Sequence, residues 1–307
     1  MDIFLQQIIN GLVQGSIYAL VALGYTMVYG IMGLINFAHG EVVMIGTLLT
    51  ISVVGLLLKL GVPLALAGAI GLLVAVLACM ALGWTLERIA YRPLRNAPRL
   101  TPLITAIGMS IVLQNLAMIV WGRNYLTFPP LLPKVEFELA GANFTAVQLI
   151  IVLVSALTMA GLLLLVYRTR LGMAMRATAQ SPQVASLMGV NVNRVIAAAF
   201  IIGSALGAVA GVMVGAYYEV AHYQMGFILG LKAFTAAVLG GIGNLAGAML
   251  GGVLLGIIEA MGAGYIGDLT GGILGSHYQD IFAFIVLIIV LMFKPSGLFG
   301  EKTGDRA

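Results

Sequence analysis

Long apolar runs with at most one charged residue each repeat along the whole chain and constrain its fold more than any other feature. Most approach the length of about 20 residues that a helix needs to cross a bilayer. They are continuously apolar and lack the two-residue alternation of a membrane β-barrel. They predict membrane spans at Ile8–Tyr29, Glu41–Leu58, Leu64–Trp84, Leu103–Trp121, Val147–Tyr167, Val195–Tyr217, Phe227–Leu239, Ala246–Gly262 and Ile281–Phe293.

Composition argues for the same fold class. The chain is 61% hydrophobic and 8% charged, whereas a soluble domain carries about 25% charged residues. Because no long polar stretch could form a second domain, residues 1–307 are expected to be one membrane domain. The run Phe227–Leu239 is short for a span, so we predict an all-α polytopic bundle of about eight to ten transmembrane helices.

Basic residues cluster beside the apolar runs, in the segments Arg88–Arg99, Arg168–Arg194 and Lys294–Arg306. The positive-inside rule assigns all three segments to the cytoplasm. The loop Arg123–Thr145 has balanced charges and several prolines, and is assigned to the outside. Alternation then places the N-terminus outside and the C-terminus inside. The net charge of +4 is explained by these clusters and does not indicate nucleic-acid binding.

A polar segment, Gly33–Glu41, lies between two apolar runs and contains Asn36, His39 and Glu41. Such groups at membrane depth mark a pathway, a gate or a packed polar contact. One interpretation is a polar turn that caps a helix beginning near Gly40, in which Asn36 supplies hydrogen bonds to free backbone groups. The other is a translocation pathway, to which Gln114 and Asn115 would also contribute.

Two charged residues, Lys232 and Glu259, are embedded in apolar sequence. They could form a buried pair, reach to the membrane interface, or contact a substrate, and pairing or interfacial anchoring is favoured over substrate contact.

Glycines recur every fourth residue in two places, which predicts close helix packing on one face of each helix. The two series are Gly203, Gly207, Gly211 and Gly215, and Gly243, Gly247 and Gly251. A short echo between Asn36–Gly40 and Asn244–Gly247 leaves open an internal repeat, as many transporters have.

The segment at about 168–195 is basic and holds a stretch long enough for a short helix, with Val184, Leu187 and Met188 near the membrane surface. It is either an amphipathic helix on the lipid headgroups or a cytoplasmic docking helix for a partner subunit.

Enzyme motifs are poor in this sequence. No Gly-Lys dipeptide is present, so a P-loop is excluded, and the three histidines lack metal-site spacing. We therefore predict no catalytic residues, no metal site and no cofactor bound by this chain. Two rivals remain: an ion-coupled secondary transporter using Lys232, Glu259 or His39, and an intramembrane enzyme using His39 and Glu41.

Three blocks in order resemble LivH-type permeases of high-affinity branched-chain amino acid ABC importers. They are Asn36–Glu41 with the preceding Tyr25–Gly30, then Lys232–Asn244, and Phe293–Gly300. The resemblance implies import of leucine, isoleucine and valine across a bacterial inner membrane. A permease of a related urea, amide or broader amino-acid importer is the alternative.

The resemblance also implies partners. These are a LivM-like second permease, two ATPase subunits that carry ATP and magnesium, and a periplasmic amino-acid-binding protein. The stretch Gln183-Val184-Ala185-x-x-x-Gly189, followed by Arg194, resembles the loop that docks ATPases in importers. Gln183 and Val184 stand where that loop usually has glutamate and alanine.

Overall fold

The computed structural model describes residues 2–95, 97–98, 100–131, 135–139, 141–270, 279–294 and 296–300. Each of the nine predicted apolar runs coincides with a helix, which confirms the all-α membrane fold class. The helices are α1 (Asp2–Met32), α2 (His39–Lys59), α3 (Leu64–Leu86), α4 (Leu100–Trp121), α5 (Ala146–Arg168), α6 (Arg170–Gln180), α7 (Pro182–Leu187), α8 (Val192–Tyr218), α9 (Met225–Gly240), α10 (Leu245–Leu269) and α11 (Gln279–Phe293). Of the predicted basic and loop residues, Arg99, Lys134, Lys302 and Arg306 lie outside the described residues.

Seven helices of the described chain are long and apolar enough to cross a membrane: α1 to α5, α8 and α10. Two more, α9 with 16 residues and α11 with 15 residues, are apolar but shorter. The short run at Phe227–Leu239 therefore forms a short helix, as its length predicts.

Helix α1 is the centre of the bundle and lies along α10. Glycines bring the two backbones together: a methyl group on Gly11 would come within 2.6 Å of Ile257 Cα, and one on Gly15 within 2.7 Å of Val253 Cα. The residues from Ile17 to Val28 are almost all buried. Because α8 and α9 also contact α1, this helix is enclosed by protein along its middle.

The glycine series on α8 faces other helices, as tight packing requires. Gly203 lies against Gly24 of α1, and Gly211 against the backbone of Val43 in α2. In the second series, Gly247 and Gly251 pack on α9. Gly243 corrects the prediction: it lies in the turn before α10 with a φ of +98°, so it is not part of a helix face.

Short strands occupy the segment between α4 and α5. Strands β2 (Glu136–Leu139) and β3 (Ala142–Thr145) form an antiparallel hairpin. Strand β1 (Leu126–Thr127) pairs with β4 (Val220–Ala221), which joins the end of α4 to the end of α8.

At the opposite end of the bundle, α3 continues into a π-helical turn (Glu87–Tyr91) and a 3-10 turn (Arg92–Leu94). The Glu87 carboxylate is fully buried and pairs with Arg92 at 3.0 Å and with Arg95. Arg95 also donates a hydrogen bond to Asn193 at the start of α8. Two of the basic segments therefore meet at the same end of the molecule.

Candidate functional site

The polar segment lies inside the bundle, because the first residues of α2 pack beside the middle of α1 and the start of α9. A methyl group on Gly24 would overlap the His39 imidazole, and one on Gly40 would overlap the backbone of Gly226. Gly24 and Gly226 belong to α1 and α9, so three helices meet at the first turn of α2. The chain thus returns into the bundle after α1 before α2 starts, which resembles the interrupted helices that form transporter sites.

The polar segment forms the turn that opens α2, and the Asn36 backbone carbonyl accepts a hydrogen bond of 3.0 Å from the His39 N–H. The Asn36 side chain does not cap the helix. Its Oδ1 accepts a hydrogen bond of 2.7 Å from the Tyr91 hydroxyl, and the N-cap of α2 is Ala38. Asn244, by contrast, does cap its helix, since its Oδ1 accepts from the Gly247 N–H at 3.0 Å. The two halves of the sequence echo therefore differ in local structure.

His39 is 1% exposed and fills the space between α1 and α8. Its ring meets Tyr25 edge-on with centroids 5.1 Å apart, and Gly207 would place a methyl group 3.3 Å from its Cε1. This position gives His39 a packing role between helices.

Glu41 is fully buried, and neutral donors hold its carboxylate. Oε1 accepts from Ser110 Oγ at 2.9 Å and from Gln114 Nε2 at 2.7 Å, both in α4. Ser110 and Gln114 also line a groove of about 770 Å³ between α4 and α9. Asn115 is exposed on another face of α4 and donates to the Ile111 carbonyl at 2.8 Å. Of the candidate pathway residues, Gln114 therefore lines the groove and Glu41 supports it.

Lys232 and Glu259 form an ion pair, with Nζ and Oε2 separated by 3.1 Å. Lys232 also donates to the Tyr18 hydroxyl at 3.2 Å and lies 2.6 Å from Asp280 Oδ1. Tyr18 in turn donates to Glu259 Oε2 at 2.8 Å. One ammonium, two carboxylates and the Tyr18 hydroxyl thus join α1, α9, α10 and α11.

Helix α7 presents an apolar face at the end of the molecule that carries the basic segments. Leu187 is 87% exposed and Met188 is 80% exposed, next to Val184, while Ala185 is buried. Gln183 and Arg194 are also exposed. Gly189 ends the segment with a φ of +84°, a conformation that glycine adopts without strain. The arrangement supplies a small hydrophobic contact surface.

The sequence did not single out several side chains that contact the predicted site residues, among them Tyr18, Ser110 and Asp280. Asp280 did carry a signal, because it directly precedes the apolar run at Ile281–Phe293. Tyr18 and Ser110 carried none, since a hydroxyl inside an apolar run is common and its partner is distant in sequence.

Comparison with known proteins agrees with this architecture. Residues 7–291 match the family model described as "Branched-chain amino acid transport system / permease component". The chain is 48% identical to the high-affinity branched-chain amino acid transport system permease protein BraD of Pseudomonas aeruginosa, over 99% of this chain and 98% of BraD. It is 46% identical to LivH of Escherichia coli K12 and 45% identical to LivH of Salmonella typhimurium, each over 99% of this chain and 97% of the relative.

Proposed function

Because the chain belongs to the family of permease components of branched-chain amino acid transport systems, we propose that it is the membrane permease of an ATP-driven importer. It passes leucine, isoleucine and valine from a periplasmic binding protein to the cytoplasm. The whole chain acts as one permease domain in a bacterial inner membrane, with its C-terminus in the cytoplasm. Its full-length similarity to BraD and LivH carries this proposal.

The partners follow from the same proposal. A LivM-like permease completes the pathway, and two ATPase subunits bind ATP and magnesium. The coupling segment at about 168–195 receives the ATPase through α7. Its exposed Leu187 and Met188 support this assignment, because removing apolar surface from water favours association.

The translocation path runs along the groove between α4 and α9. Its walls include Ile107, Ile111 and Phe227, and its polar groups are Ser110, Gln114 and Gln224. Mostly apolar walls with a few polar groups suit the passage of an aliphatic amino acid without tight binding. Glu41 stabilises the Ser110 and Gln114 side chains by accepting a hydrogen bond from each.

Replacing Leu187 and Met188 by serine tests the docking assignment. Both side chains are exposed, so folding should be unaffected, whereas loss of apolar contacts should weaken ATPase binding at least about tenfold. The measurement is ATPase affinity for the purified permeases, together with leucine uptake in proteoliposomes that contain the binding protein and ATP. Substituting Gly189 is less informative, because a side chain there would strain the turn itself.

Val135→Ser is the matched control, since Val135 is 44% exposed in the segment between α4 and α5. It should leave ATPase affinity unchanged. Equal effects of the two variants, or no effect of the α7 variant, would exclude α7 as the docking site. Uptake that persists without ATPases and follows an ion gradient would instead favour a secondary transporter. Competition by urea or short amides would favour the related importer classes.

A further inference from the structure

A cavity of about 240 Å³ lies beneath the β1–β4 pair, next to the buried ion pair. It is smaller than the pockets of about 300–1,000 Å³ that hold drug-sized ligands, so it suits a ligand the size of one amino acid. Its lining includes Val214, Met225, Ile228 and Leu229 on the apolar side. Tyr125 and His222 stack at its rim with ring centroids 4.5 Å apart.

The polar side of this cavity is formed by Lys232 with Tyr18 and Tyr218. Among the described residues that line it, Lys232 carries the one formal charge. A second cavity, of about 220 Å³, lies between α1 and α5 and has Gln148 as its single polar lining residue in the described chain. The two cavities match in size and differ in charge.

The three partners of Lys232 differ in their access to solvent. Glu259 is fully buried and Tyr18 is 2% exposed, whereas the Asp280 side chain is 42% exposed. Asp280 is therefore the most accessible of the three partners of Lys232, although its Oδ1 atom is buried against the ammonium.

We propose that this cavity, which is separate from the groove between α4 and α9 but shares Ile228 with it, is a binding site within the permease for a zwitterionic branched-chain amino acid. This proposal rests on the proposed function. The aliphatic side chain packs against Met225 and Leu229. The ligand carboxylate takes the place of Asp280 beside Lys232, and Asp280 accepts the ligand ammonium. The Lys232–Asp280 ion pair is replaced by one pair between Lys232 and the ligand carboxylate and another between Asp280 and the ligand ammonium. Because the ligand is a zwitterion, the net charge of the site does not change.

Met225→Trp tests the site by filling it. The probe is radiolabelled leucine, and the measurement is its equilibrium binding to the purified, complete transporter without the binding protein. We expect at least about tenfold weaker leucine binding, because the indole occupies the ligand's volume. Leu149→Trp fills the uncharged cavity between α1 and α5 and should leave leucine binding unchanged. Equal effects of the two variants would overturn the proposal.

Leucine analogues test the charge pairing in the unmodified transporter, where folding is not in question. Leucinamide lacks the carboxylate and 4-methylpentanoate lacks the ammonium. Each should compete with labelled leucine at least about tenfold less well than leucine itself, since each loses a charge-assisted hydrogen bond. Competition by either analogue equal to that of leucine would overturn the assignment of Lys232 and Asp280.

The proposed function is tested separately by ATP-dependent leucine uptake with the binding protein present. Uptake without detectable leucine binding to the transporter alone would exclude the cavity site and leave the proposed function standing. Absence of uptake from a correctly assembled transporter would instead contradict the proposed function.

Discussion

Two buried glutamates in the same bundle are held in different ways. Glu41 and Glu259 are both fully buried, but Glu41 accepts hydrogen bonds from the neutral Ser110 and Gln114. Glu259 faces the Lys232 ammonium and the Tyr18 hydroxyl. The hydroxyl of Ser110 and the amide of Gln114 can donate hydrogen bonds to either a glutamate or a glutamine at position 41. The ion pair with Lys232, by contrast, requires a charged carboxylate at position 259. Glu41 therefore depends on hydrogen bonds, and Glu259 depends on its charge.

The two regions are joined by α9. Its first turn lies against Glu41, where a methyl group on Gly226 would come within 2.6 Å of Oε2. Two turns further on, the same helix carries Lys232 to Glu259. A movement of this short helix would therefore alter both sites together.

Removing the ammonium should have the largest effect. Lys232→Met leaves Glu259 buried without its cation, which typically costs about 3–5 kcal/mol of stability. The measurement is the thermal unfolding midpoint of the purified protein in detergent. Lys232→Arg keeps the charge and serves as the control. The double variant with Glu259→Gln should recover part of the loss, and failure to do so would break the electrostatic interpretation.

Glu259→Gln should have an intermediate effect of about 1.5–3 kcal/mol, because charge-assisted hydrogen bonds to Lys232 are weakened while Asp280 remains beside it. The same unfolding measurement applies. A loss as large as that of Lys232→Met would mean that Asp280 contributes nothing to the cluster.

Glu41→Gln should have the smallest effect, below about 1 kcal/mol. The amide oxygen can still accept from Ser110 and Gln114, so the neutral-donor network survives. Comparing this variant with Glu259→Gln by unfolding midpoint sharpens the contrast directly. Equal destabilisation by the two substitutions would show that both glutamates depend on charge.

Much of the helical framework could be predicted because lipid imposes it locally. A run such as Val195–Tyr217 must satisfy its backbone hydrogen bonds internally, so it forms α8 whatever its neighbours are. The four-residue spacing of Gly203, Gly207 and Gly211 predicted a packed face, because residues four apart lie on the same side of a helix and glycine allows close backbone approach. Gly243 shares that spacing and was misplaced, because spacing does not reveal where the turn ends and α10 begins.

The candidate site was less predictable, since its partners come from distant parts of the chain. Asn36 was expected to serve the local turn, and its carbonyl does accept from the His39 N–H. Its side chain, however, accepts from Tyr91, 55 positions away. His39 was a pathway candidate and is enclosed between helices. Asn115 lies next to Gln114 in sequence but on a different face of α4.

By itself, the sequence determined that this protein is a helical membrane protein, where its apolar helices run and which segments carry its basic charge. Length and hydrophobicity decide these properties within one segment at a time. Only the tertiary structure decided that α2 starts inside the bundle and that Asp280 and Tyr18 join Lys232 and Glu259. Those contacts depend on how four helices are positioned in space, because each charged group is stabilised by partners on other helices.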